Sequence, residues 1–207
     1  MYSHTKKVIT GTTPLAEATH ALIMLHGRGA SAESILDLAN HLNLKQTAIS
    51  APQASNNSWY PYSFMVATEQ NQPALNSALN MISSLVDDIV NFGIPAKNIF
   101  LGGFSQGACL ALEFAARNAE AYGGIVAFTG GLIGDELDLS NYKGDFKNTP
   151  ILITTGNPDP HVPLSRVEES VSVLKNLHAH VTLKIFKGRA HTILKGEIEL
   201  ANQLIFK

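Results

Sequence analysis

Seven short apolar runs, at Lys6 to Thr10, His20 to Leu25, Gln46 to Ala51, Ile99 to Gly103, Gly124 to Phe128, Ile151 to Thr155 and Val181 to Phe186, alternate with stretches whose apolar residues recur every three or four positions. This alternation leaves few folds open. A short, nearly unbroken apolar run suits a strand covered on both faces, and the intervening helices supply the covers. The spacing therefore predicts βαβ units with right-handed crossovers: an α/β fold, a mostly parallel central sheet with helices on both faces. Ser31 caps one helix, with Ile35, Leu38, Ala39 and Leu42 inward. Pro73 opens a second, with Leu75, Leu79, Ile82, Leu85, Val86 and Ile89 on one face, and Gly93 ends it. Ala108 to Arg117 reads as a third, and Leu164, Val167, Val171, Leu174 and Leu177 mark a fourth.

The 207 residues, 45% hydrophobic and 15% charged, suit a single domain over 1–207 with a full core. The net charge of −2 and the lack of any basic block argue against nucleic acid or an anionic membrane surface and favour a small-molecule substrate. Cys109 is the only cysteine, so neither an intrachain disulfide nor a cysteine-based zinc site can form. His178 and His180 have no acidic third ligand at a useful spacing, and no metal is expected. The apolar runs are too short for stable membrane insertion and the first residues lack an apolar leader, so a cytoplasmic location is expected. A homodimer is compatible with this composition, although no sequence feature identifies its face.

In parallel sheets, sites gather at the carboxyl ends of the strands. Gly103-Phe104-Ser105-Gln106-Gly107 lies between a strand-like run and a helix-like stretch, so the two glycines should let the chain hold Ser105 on a tight, strained bend at a helix N-terminus. A serine hydroxyl needs a base to remove its proton and an acid to orient that base. Both follow in order. Asp159 comes just after Ile151 to Thr155, and His191 just after Val181 to Phe186. Asp135 and Glu136, after Gly124 to Phe128, are alternative positions for the acid. Upstream, His26-Gly27-Arg28-Gly29 follows a strand-like run, and the backbone N–H groups of Arg28 and Gln106 are the expected oxyanion donors.

Leu25-His26-Gly27-Arg28-Gly29-Ala30, Ala51-Pro52-Gln53, Trp59-Tyr60-Pro61-Tyr62-Ser63-Phe64, Gly102 to Ala108, Asp159-Pro160-His161-Val162-Pro163 and His191-Thr192 together resemble the phospholipase/carboxylesterase group of α/β-hydrolases, which also contains acyl-protein thioesterases. The resemblance spans nearly the whole chain and is strongest to the small bacterial esterases of that group. It implies hydrolysis of esters or thioesters through an acyl-enzyme on Ser105, with His191 as base, Asp159 as orienting acid, and no metal or cofactor. Ala190 stands where the family usually has glycine, which implies a slightly altered His191 loop.

Trp59, Tyr60 and Phe64 are candidate walls of the substrate pocket, flanked by His26 and His161. The Arg28 side chain either attracts a substrate carboxylate or phosphate or braces a loop by a salt bridge. Cys109, one helical turn after Ser105, is expected to be a buried, inert thiol. Thr129 to Pro150 is too short for a cap, so an open pocket for small to medium acyl groups is expected. The rivals are a thioesterase or lysophospholipase for long acyl chains, a dienelactone-type hydrolase, and a catalytically silent scaffold that binds a ligand or partner.

Overall fold

The computed structural model describes residues 2–207. All seven apolar runs are strands of one sheet: β1 (Val8–Thr10), β2 (His20–Leu25), β3 (Thr47–Pro52), β4 (Ile99–Phe104), β5 (Gly124–Phe128), β6 (Pro150–Asn157) and β7 (His180–Lys187). Their order is β1-β3-β2-β4-β5-β6-β7, with β1 antiparallel to β3 and every other neighbouring pair parallel.

Alternate residues of the strands feed two separate cores. Leu22, Met24, Val126, Phe128 and Leu152 pack with α1 (Ala32–Ala39) and α5 (Lys195–Leu204). Ile23, Leu25, Ile125, Ala127, Ile151 and Ile153 pack with α2 (Ala74–Phe92), α3 (Gln106–Arg117) and α4 (Leu164–Asn176). Both faces of the central strands are therefore dry, which is why their sequences show no polar alternation.

The expected helix boundaries hold at Ser31, whose hydroxyl caps the Ser34 N–H of α1, and at Gly93, which ends α2 with φ 117°. The sequence reading assigned no element after the His191 loop, yet α5 is there, buried through Glu197 and Ala201. Between β5 and β6 the chain makes one short 3₁₀ turn, Leu139–Asn141, among the described residues, and no cap. Glu113 of α3 anchors that segment, accepting from the Ile133 N–H (2.9 Å), Arg117 Nε (2.7 Å) and the Tyr142 hydroxyl (3.3 Å). Burial raises its carboxyl above the usual carboxylate range, against the pull of Arg117 and these hydrogen bonds.

The turn from β4 to α3 is the tightest point of the fold. A Cβ on Gly107 would stand 2.1 Å from the Leu25 carbonyl oxygen and 2.6 Å from that of His26, and one on Gly103 would stand 2.6 Å from the Gly107 backbone. Neither glycine has a positive φ. They are required for close approach of backbone to backbone rather than for turning, and the unusual dihedral falls on Ser105 itself. Gly107→Ala should therefore cost about 4 kcal/mol or more, whereas Gly29→Ala, at φ 76° but facing open space, should cost about 1 kcal/mol of backbone strain. Guanidinium denaturation of the two variants checks the contrast; equal losses would mean that the clamp at Gly107 gives way.

Candidate active site

Ser105 sits at the carboxyl end of β4 with φ 54° and ψ −118°, a conformation that side chains other than glycine adopt only at a cost of about 1–3 kcal/mol. Its hydroxyl does not cap α3 and is left to His191, whose Nε2 lies 2.8 Å away. The other ring nitrogen, Nδ1, lies 2.9 Å from Asp159 Oδ2 and 3.1 Å from Oδ1. Asp159 also accepts from the backbone N–H groups of His161 (2.9 Å) and Val162 (3.0 Å). Burial opposes its charge, but the hydrogen bond from His191 and the two N–H groups outweigh that and hold its carboxyl below the usual carboxylate range. Asp135 and Glu136 are exposed on a separate polar groove beside Arg117, away from His191. Ala190 is exposed with a negative φ, so alanine fits there without strain.

The loop after β2 lies against this turn: Gly27 packs on Phe104 and beside Ser105, and the Gly29 N–H is tied to the Asn57 carbonyl at 2.7 Å. The backbone N–H groups of Arg28 and Gln106 donate to no protein group among the described residues. His26 is wholly buried beneath the loop. Its Nδ1 donates to the Gly27 carbonyl (2.7 Å), while Nε2 accepts from the Ala54 N–H (3.1 Å), so only the neutral ring fits.

Trp59 is equally buried and does not line the cavity, contrary to the expectation for it. Its indole N–H donates to the His26 carbonyl (2.8 Å), and its ring packs between those of His26 and His4, because a large apolar surface with one donor gains more from the core than from a wet pocket. His26 likewise stays outside the main cavity and touches only a smaller groove beside it.

The cavity above Ser105 holds about 570 Å³ and is lined by Tyr60, Phe64, Phe104, His161 and Val162, with Arg28 and His191 at its sides. Of the residues expected around the site, Tyr60, Phe64 and His161 line this cavity. Cys109 closes the inner wall, and burial pushes its thiol up to about 12, which leaves it protonated. Two side-chain amides hold the Trp59 to Phe64 loop in place: that of Gln106, expected only as a backbone donor, and that of Asn71, which the sequence did not single out. The Gln106 side chain accepts from the Trp59 N–H (2.9 Å) and donates to the Tyr60 carbonyl (2.8 Å). The wholly buried Asn71 bridges the Tyr62 N–H and the Ser63 carbonyl, both at 2.9 Å.

A profile of the family described as Phospholipase/Carboxylesterase matches residues 6–207. The chain belongs to this family. It is an esterase-type enzyme of the α/β-hydrolase fold, a hydrolase of esters or thioesters. The crystal structure of a phospholipase/carboxylesterase from Dyadobacter fermentans is 57% identical, with a TM-score of 0.99 over 100% of this chain and 99% of that one. Acyl-protein thioesterase 1 of Schizosaccharomyces pombe is 29% identical over 194 residues, 87% of each chain. Mouse lysophospholipase-like protein 1 is 24% identical over 205 residues, covering 90% of this chain and 86% of the relative.

A buried ionic network holds the His191 loop of this esterase, and sequence reasoning missed it. Arg189, two residues before His191, and Glu197 of α5 have side chains only 1% and 0% exposed, with Nη1 and Oε2 3.6 Å apart. Arg189 also donates to Thr129 Oγ1 (2.5 Å) at the end of β5 and to the Thr192 carbonyl. Glu197 accepts from Thr154 of β6 and from the Leu194 N–H (2.8 Å). The loop is thereby fastened to the end of β5, to the interior of β6 and to the start of α5.

The two histidines around Trp59 make stability depend on pH. His4 donates through Nε2 to the Trp59 carbonyl (2.9 Å) and accepts at Nδ1 from the Ser55 N–H (3.0 Å), so it too must be neutral. Burial lowers both histidines from the ordinary value, against their hydrogen bonds to backbone carbonyls. An unfolded chain binds these protons first, so stability is full above about pH 6.5 and falls as the pH drops through the folded values. Denaturation midpoints at pH 7.5 and 5 should show this loss, and it should be smaller in His4→Gln; an equal loss in the variant would exclude His4 as a contributor.

Proposed function

We propose that this esterase cleaves carboxylic esters of small to medium acyl groups through an acyl-enzyme on Ser105. The observation that carries the proposal is the unbroken hydrogen-bonded chain from Asp159 through His191 to the Ser105 hydroxyl. His191 Nε2 takes the hydroxyl proton as Oγ attacks the carbonyl carbon, and Asp159 holds the ring in the tautomer that leaves Nε2 free to accept it. The tetrahedral oxyanion is held by the backbone N–H groups of Arg28 and Gln106, each worth roughly 3–4 kcal/mol of barrier. His191 then passes the proton to the leaving oxygen or sulfur, and a water activated by the same nitrogen releases the acid. A cavity of about 570 Å³ with aromatic walls and no cap supports short and medium chains. The work is done by one domain over 1–207, and we place it in the cytoplasm, in keeping with a lone buried thiol.

Ser105→Ala should abolish turnover of p-nitrophenyl butyrate and labelling by a fluorophosphonate. Asp159→Asn should lower kcat about 10⁴-fold, because the amide favours the wrong tautomer. Wild-type kcat/KM should fall on acidification, because only a neutral imidazole can accept the hydroxyl proton. Asp159, held below the usual carboxylate range, keeps its charge at neutral pH. A flat profile, or activity surviving Ser105→Ala, would overturn the proposal. A series from acetyl to palmitoyl esters that peaks at the long end would move the assignment to lipid or protein deacylation.

A further inference from the structure

Arg28 contributes more to the site than its backbone N–H. Its side chain is exposed and lines the cavity. It does brace a loop, but not by a salt bridge: Nη1 donates to Ser58 Oγ (3.0 Å) and the Pro61 carbonyl (2.8 Å), and Nη2 to the Tyr62 carbonyl (2.5 Å). All three acceptors are neutral. A guanidinium offers five N–H donors, so Nε–H and the second Nη2–H have no protein partner among the described residues. The face of Tyr60, 5.9 Å from the guanidinium carbon, steadies the cation without neutralising it.

Nothing else in the cavity cancels that charge. No Asp or Glu lines it among the described residues. The carboxylate behind His191, Asp159, has its side chain shielded from solvent and its oxygens occupied by His191 and two backbone N–H groups. The cavity wall therefore carries one permanent charge, positive, on a planar group already held by three hydrogen bonds. Such a fork loses little further freedom on binding a carboxylate.

We propose that Arg28 selects substrates that carry a carboxylate beside the scissile ester or thioester, held by the free N–H edge of the guanidinium. This rests on Ser105 being the nucleophile. The test compares esters matched in length. Mono-p-nitrophenyl glutarate against p-nitrophenyl valerate places the charge on the acyl side. The butyryl thioester of 3-mercaptopropionate against that of propanethiol places it on the leaving side.

The charged partner of at least one pair should have a kcat/KM about tenfold higher at low salt, with the advantage shrinking as added salt screens the exposed pair. Arg28→Gln should bring the ratio near one, and Arg28→Lys should keep part of it. Because both members of a pair share the same catalytic groups, the ratio is insensitive to general damage to the loop. No charge preference in either pair, or a preference that survives Arg28→Gln, overturns the proposal. Calorimetric binding of monomethyl glutarate and methyl valerate to Ser105→Ala reads the same preference without turnover. Charge-selective binding with no serine-dependent turnover would reject the nucleophile and keep the Arg28 site; turnover without charge selectivity would do the reverse.

Discussion

The contact of Gly107 with the backbone of Leu25 and His26 registers the whole carboxyl edge of the sheet. It brings the turn after β4, which carries Ser105, against the loop after β2 with no side chain between them. The packing around it follows. Every residue of α3 from Gln106 to Ala116 is buried, and small side chains such as Ala108, Cys109, Ala111 and Ala115 let the helix lie close to the sheet. The strain at Ser105 is held in place because the surrounding elements leave it no room to relax.

A second principle is that each polar group beneath the site has one defined state. His26 and His4 are fixed as neutral rings by a donor on one side and an acceptor on the other. Arg189 and Glu197 offset one another out of water, a pairing whose net stabilisation is small but whose loss of one partner is costly, about 3–5 kcal/mol. This suits a loop that must present a histidine at a set distance: the pair specifies position more than it adds stability. Two buried groups stay unsatisfied among the described residues, Arg189 Nε and the Tyr60 hydroxyl, and both adjoin the loops that frame the cavity.

The strands and the Ser105, Asp159 and His191 positions were legible because each is written locally, as an apolar run followed by a turn with a chemically distinctive residue. What escaped is non-local. In α5, Ile198, Leu200, Ala201 and Leu204 alternate with Lys195, Glu197 and Glu199, and its apolar face is weak until the neighbouring strand supplies the other half. Arg189 and Glu197 carried no signal, since nothing in a sequence marks a salt bridge eight residues apart as buried. Trp59 was read as a wall of the pocket because it stands among polar residues, yet His4, about fifty positions away in the chain, helps bury it.

The two sides of the cavity differ in what holds them. One side, built from Gly27, Ser105, Gln106 and Cys109, is locked by backbone contact and tolerates almost no added atom. The other, Tyr60 to Phe64, hangs from Asn71, Gln106 and Arg28 by hydrogen bonds that mostly grip its main chain rather than its side chains. The exposed Tyr62 can therefore be exchanged without disturbing how the loop is hung, whereas Phe64 is also packed into the core. The chain thus joins a turn that is rigid down to its backbone to a wall whose outline can change without moving that turn.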